Sequence, residues 1–130
     1  IDMLDLVHLD GGDRILQSYP FQLSGGMQQR LAIALSLILK PNIVFADEPT
    51  SALDILVQAS VLDLLREVTQ ALGATVVIVT HNIKAAARIA NSIGVMNKGQ
   101  LVEVGPTEAV INQPKAEYTH VLLDSVMKVV

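Results

Sequence analysis

No cysteine occurs among the 130 residues of the chain, which excludes disulfides and thiolate metal sites and suits a reducing compartment. Tryptophan is absent too, and aromatic residues make up only 3%. No basic run is interleaved with them and the formal net charge is -4, so nothing proposes a nucleic-acid surface. Charged residues amount to 17% against 51% hydrophobic, with a mean hydropathy of +0.46, which is apolar for a chain standing alone in water. Long apolar runs are lacking as well: Leu31 to Leu39, the longest, is interrupted by Ser36 and falls far short of the roughly 20 residues that cross a bilayer. The apolar excess is therefore expected in a sheet core or against other protein. No charged-then-apolar signal segment follows Ile1, and the chain reads as the latter part of something longer.

What is present is organised around Asn42–Asp54, NIVFADEPTSALD. Its first half is a short apolar run rich in branched and aromatic residues between Pro41 and Pro49, which predicts a strand buried on both faces. Asp47 and Glu48 arrive together at its carboxyl end, the edge where a parallel α/β sheet binds ligands. Neighbouring strand residues point to opposite faces, so a division of labour suits the pair better than a dyad. One would hold a cation, the other orient or deprotonate a nucleophile. Read alone, the same residues also describe a strand ended by a solvated turn.

Upstream, Ile1 to Leu9 fits the end of a helix closed by Gly11-Gly12, and Asp13 can cap a short turn stopped by Tyr19-Pro20. Leu23–Arg30, LSGGMQQR, then runs into an apolar helical stretch ending before Lys40-Pro41. Ser24 is a good N-cap, and Gly25 and Gly26 permit close approach of a phosphate to free N–H groups at a helix start. Taken alone, this is equally an ordinary Ser-capped helix with a glycine turn.

Downstream, Asp54 is placed to cap a long helix with Val61, Leu65, Val68 and Leu72 on one face and Gly73 closing it. Ala74–Thr80 predicts a second apolar strand, parallel to the first across that helix, which brings His81 to the same carboxyl edge as Glu48. After Asn82 come a helix of small residues and a β-hairpin turning at Lys98-Gly99. Thr107 is expected to cap a short helix broken by Pro114, and a last helix from Glu117 to Val129 offers Val121, Leu122, Val126 and Val129 for packing. No repeat or low-complexity segment is present.

Taken together and in this order, LSGGMQQR and the Asp-Glu strand about one helix later resemble the signature motif and Walker B motif of the ATP-binding cassette (ABC) ATPases. Ser51-Ala52-Leu53-Asp54 looks like the D-loop, and Val79-Thr80-His81 like the switch histidine. The resemblance runs from Tyr19 to about Tyr118. It implies an α/β fold: the C-terminal part of a P-loop NTPase (RecA-like) fold with a mainly parallel sheet, preceded by part of the ABC helical subdomain. Residues 1–40 would be that subdomain portion, 41–106 the catalytic core portion and 107–130 C-terminal helices.

The resemblance also implies roles, with ATP and Mg²⁺ as cofactors. Asp47 would hold Mg²⁺, Glu48 would polarise the attacking water, and His81 would contact the γ-phosphate and stabilise its developing charge. Ser24, Gly25 and Gly26, with Gln28 beside them, would bind a nucleotide held mainly by a second ATPase subunit in a head-to-tail pair, and Asp54 would touch across that interface. Membrane permease subunits would be the other partners, at the cytoplasmic face of the membrane. Tyr19-Pro20-Phe21-Gln22, Asp54–Ala59 and Asn112-Gln113-Pro114 followed by Tyr118-Thr119 look like the ATPases of dipeptide, oligopeptide and nickel importers, whereas Ala116-Glu117 and Asn82 depart from that pattern.

No Gly-x-x-x-x-Gly-Lys-[Ser/Thr] run occurs, so the main phosphate cradle is missing from these residues and the chain alone is expected to be inactive. A non-catalytic truncated cassette that only binds partner subunits is thus one alternative reading, and an ABC ATPase of DNA repair or translation is another. In this family the strand leading into the phosphate loop lies beside the strand placed at Ala74–Thr80. Without it, Val76 to Val79 are expected to form an open edge.

Overall fold

The computed structural model describes residues 3–127 and divides into two compact units, the first ending at Val79 and the second beginning at Thr80. It is a mixed α/β structure with one small parallel sheet and one antiparallel hairpin among the described residues.

The first unit runs α1 (Met3–Leu6), α2 (Gly12–Leu16), a 3-10 turn (Pro20–Gln22), α3 (Gly25–Leu37), β1 (Ile43–Asp47), α4 (Ile55–Leu72) and β2 (Thr75–Val79). Helix starts follow local chemistry. Ser24 Oγ accepts the Met27 N–H at 3.3 Å and Asp54 Oδ1 accepts the Val57 N–H at 3.0 Å, each satisfying a donor the helix leaves open. Gly73, at φ 68°, closes α4 in the left-handed conformation that glycine adopts without penalty. The end of α1 departs from expectation. His8, not the glycine pair, takes the left-handed position (φ 53°), with its N–H bonded to the Asp5 carbonyl and the Leu9 N–H to the Leu4 carbonyl, both at 3.0 Å. That is a Schellman closure, which places Leu9 in the core. Gly11, rather than Asp13, sits at the N-cap of α2.

β1 and β2 pair in parallel, Ile43 opposite Thr75 through Asp47 opposite Val79. Val44, Ala46, Val76 and Ile78 pack on one core with Leu4, Val7, Ile33, Leu37, Val61, Leu65 and Val68. Burial on both faces is not what forms. Ile43, Phe45, Val77 and Val79 are exposed, Phe45 by 77%. The residues packed against the sheet from α1, α3 and α4 all meet the Val44 face, so the strict alternation of strand side chains leaves the opposite residues open despite their apolar character.

The second unit contains α5 (Ile83–Ile89), β3 (Ser92–Asn97), β4 (Gln100–Pro106), α6 (Thr107–Asn112) and α7 (Glu117–Met127). Asn82 Oδ1 caps α5 by accepting the Lys84 and Ala85 N–H groups. Lys98 (φ 49°) and Gly99 (φ 77°) form the two-residue turn whose positive φ values match the twist of a hairpin. Ile93, Val95 and Val110 make a small core with Ala86, Ala87, Ala90, Ile111 and Leu122. Thr107 does not cap α6. Its hydroxyl donates to the Ala90 carbonyl at 2.6 Å, and Pro106 occupies the cap. In α7, Leu123 is buried while Val121 is 60% exposed, so the packing face is rotated from the expected one; Val129 lies outside the described residues.

Glu103 ties β4 to the start of α7, accepting the Lys115 N–H at 2.9 Å and the Ala116 N–H at 3.0 Å. The neighbouring Thr119 side chain, followed by those two N–H groups, holds the carboxyl below its ordinary value of 4.5. The buried Thr119 hydroxyl meets no partner at ordinary hydrogen-bond geometry, so the two backbone contacts are the firmer part of this arrangement. A depressed folded-state pKa stabilises above the unfolded value and ceases to do so as pH falls through the folded one. Thermal melts should therefore show the parent above Glu103→Gln at neutral pH, the two converging in strong acid. A gap that stays constant with pH would rule this out.

Among the described residues β2 pairs only with β1, so its other edge has no strand neighbour, beside an exposed apolar face. Such an edge recruits further strands. This chain on its own should self-associate or aggregate, as sedimentation would detect. A monomer at high concentration, with freely exchanging amides across 75–80, would contradict that.

Candidate functional site

Asp47 is the last residue of β1 and lies on its exposed face. The ladder continues one step further, with the Glu48 N–H donating to the Val79 carbonyl at 2.8 Å. Glu48 then takes φ 45°, a left-handed backbone uncommon for a residue with a side chain. That reversal turns the chain off the strand into a tight run, where the Ser51 N–H meets the Glu48 carbonyl at 3.2 Å and the Leu53 N–H meets the Thr50 carbonyl at 3.1 Å. Thr50 is buried beneath it. The two carboxylates are separated by a backbone turn as well as by the pleat.

The start of α3 packs against this segment. A Cβ on Gly25 would lie 3.5 Å from Leu53 Cδ2, and one on Gly26 only 3.2 Å from Val57 Cγ1. Gln29 Nε2 donates to the Pro49 carbonyl, and Gln58 Nε2 holds the Leu53 carbonyl at 2.8 Å. Gln28 turns the other way. Its Nε2 reaches the carbonyls of Pro20 at 2.7 Å and Leu23 at 3.1 Å, pinning the loop ahead of Ser24. Arg30 Nη1 holds the Val7 carbonyl at 3.0 Å, tying α3 to the end of α1.

The first unit thus assembles Ser24, Gly25, Gly26, Gln28, Asp47, Glu48 and Asp54 on α3, β1 and the turn between β1 and α4. His81 belongs to the second unit, exposed, beside the Asn82 N–H that donates to Thr80 Oγ1 at 3.1 Å. Gln29 and Arg30 were given no role by sequence reasoning. The available signal was two long polar side chains, both half-buried here, beside an otherwise apolar helical run.

Among the described residues no group of three or more His, Cys, Asp or Glu could hold a metal by itself. A single exposed carboxylate still fits Mg²⁺, which keeps several waters and takes one or two protein carboxylates together with substrate phosphates. No helix among the described residues is long and apolar enough to cross a membrane.

A family description, ABC transporter, matches residues 1–51. The chain is 42% identical over 127 residues to the dipeptide transport ATP-binding protein DppD of Bacillus subtilis, a match covering 97% of this chain and 38% of that protein. Over nearly its whole length the chain is thus similar to transport ATP-binding proteins, and its first 51 residues match the ABC transporter family. It is also 46% identical over 117 residues to DppD of Caldanaerobacter subterraneus, covering 90% of this chain and 36% of that protein. Similarity extends to the metal-staphylopine import system ATP-binding protein CntD of Staphylococcus aureus, 41% over 129 residues, covering 99% of this chain and 48% of that protein. The chain therefore spans between about a third and a half of the length of these relatives.

The close contact at Gly26 predicts energetic coupling. Val57 is β-branched and sits in the first turn of α4, so its rotamer cannot easily yield to an added methyl. Gly26→Ala and Val57→Ala should be non-additive in denaturant unfolding, by about 0.5–3 kcal/mol, with the second change relieving the first. Additivity within about 0.5 kcal/mol would exclude the contact.

Proposed function

We propose that this chain is the part of an ABC importer's ATP-binding subunit that carries the signature and hydrolytic elements, coupling ATP hydrolysis to uptake of peptides or a similar small solute. The observation that carries this reading is the packing of the Ser24–Gly26 turn against the segment following Asp47 and Glu48 at the carboxyl end of a parallel strand. The names of the relatives, dipeptide transport and metal-staphylopine import, support the importer class. On this reading the fold is the C-terminal portion of a RecA-like P-loop NTPase. Residues 1–40 belong to the helical subdomain, 41–106 to the catalytic core and 107–130 to C-terminal helices.

Each residue then has a task. Asp47 holds Mg²⁺, which supplies charge neutralisation on the phosphates. Glu48 accepts the proton of a water whose oxygen attacks the γ-phosphorus. The bond to the β-phosphate oxygen breaks, and ADP leaves with that electron pair. His81 donates to the γ-phosphate as charge builds on it. Ser24, Gly25 and Gly26 bind the nucleotide of a second ATPase subunit, Gln28 secures the loop before them, and Asp54 contacts that subunit. Membrane permease subunits on the cytoplasmic face receive the motion. A role in DNA repair or translation draws no support from the transport names of the relatives.

In a whole protein containing this chain, Glu48→Gln should lower turnover by about 10²–10⁴-fold while leaving ATP binding intact, because an amide keeps the shape and cannot take the proton. His81→Ala should also depress the rate. Steady-state ATPase and nucleotide-binding assays would measure both. Unchanged turnover in both variants would refute the assignment.

A further inference from the structure

We infer that Gln29 is a positioning residue for Glu48, locking the direction of the hydrolytic turn to the helix that carries Ser24–Gly26. The inference rests on the function proposed above. Gln29 stands one helical turn beyond Gly26 on α3, half-buried, and its Nε2 donates to the Pro49 carbonyl, 20 residues away in sequence. Pro49 has a ring-fixed φ, so the direction of its carbonyl is the main remaining freedom between Glu48 and Thr50. Holding that carbonyl fixes the peptide plane between Pro49 and Thr50, the next plane after the one that joins Glu48 to the proline ring. On the other side, Glu48 is fixed by its N–H bond to the Val79 carbonyl and by its own carbonyl receiving the Ser51 N–H.

A left-handed φ of 45° at a glutamate persists only when the surroundings over-determine it. The sheet supplies one anchor and the turn another. Gln29 is the anchor that comes from α3 through a side chain. The rest of that interface cannot slide independently, because Gly26 abuts Val57 and the Leu53 carbonyl is held by Gln58. A shift of the first turn of α3, such as engaging a nucleotide through Ser24 to Gly26 would produce, therefore reaches the Glu48 turn through one hydrogen bond with no flexible segment between. Signature engagement and the aim of the carboxylate are coupled within a single subunit.

The test uses a whole protein containing this chain and two shape-matched variants that cannot donate to Pro49 at neutral pH, Gln29→Glu and Gln29→Met. Both should lose about tenfold to a hundredfold in kcat, as expected for misplacement of a reacting group, with the KM for ATP unchanged. Melting temperatures should stay within about 3 °C of the parent. Hydrogen exchange should quicken at the Glu48 and Ser51 amides and not at 30–34 within α3. Turnover within about twofold of the parent in both variants overturns the inference. So does a rate loss accompanied by a matching fall in melting temperature, or failure of both to fold, since either makes Gln29 merely structural. A parallel Glu48→Gln arm separates the two readings: if it leaves turnover unchanged the proposed function fails, and if it stops turnover while the Gln29 variants do not, only this inference fails.

Discussion

The hydrogen bond from the Glu48 N–H to the Val79 carbonyl, at 2.8 Å, settles where the β1–β2 ladder stops and where the chain departs from it. Every feature of the candidate site is arranged from that point. Asp47 is the last residue still under strand alternation, and Glu48 is the first released from it. Had the ladder run one residue further, Glu48 would have taken an extended backbone on the face opposite Asp47. The left-handed turn instead directs the following residues back under α3, where Thr50 is buried and Leu53 and Val57 meet the glycines. The parallel register therefore determines the site's layout, because shifting β2 by one residue would move the carbonyl that arrests the ladder.

The elements most legible in the sequence were those decided by chemistry within a few residues. Ser24, Asp54 and Asn82 cap their helices, Gly73 ends α4 and Lys98-Gly99 turns the hairpin, each because a short side chain or a positive φ is required there. What escaped depended on which element packs on which face. Phe45 and Val77 belong to strands that read as buried throughout, yet their exposure follows from helices meeting only the Val44 face. Thr107 has good capping chemistry, but a carbonyl 17 residues away offered its hydroxyl a better partner. His8 displaced a glycine pair at a helix end because the Schellman closure buries Leu9.

The site divides along the same line. Asp47, Glu48, Ser24, Gly25, Gly26 and Asp54 are identifiable as short motifs. Gln29 is not, because nothing local distinguishes it from Gln28, its neighbour of identical type. One amide faces back to Pro20 and Leu23 and the other forward to Pro49. Successive helical positions are about 100° apart, so adjacent glutamines with the same chemistry serve different loops.

Gly26 illustrates why a motif residue resists a single explanation. A phosphate approaching the start of α3 needs backbone N–H groups unobstructed by a side chain, which is reason enough for glycine. The 3.2 Å approach of Val57 is an independent reason that operates with no ligand at all. Helix propensity opposes both, since glycine inside a helix is about 1 kcal/mol worse than alanine. On the proposed function, Gly26 answers two separate spatial demands against its own propensity, one from a phosphate and one from α4. Space that would admit a phosphate on one side of the turn is also what lets α3 seat against the segment that follows Glu48.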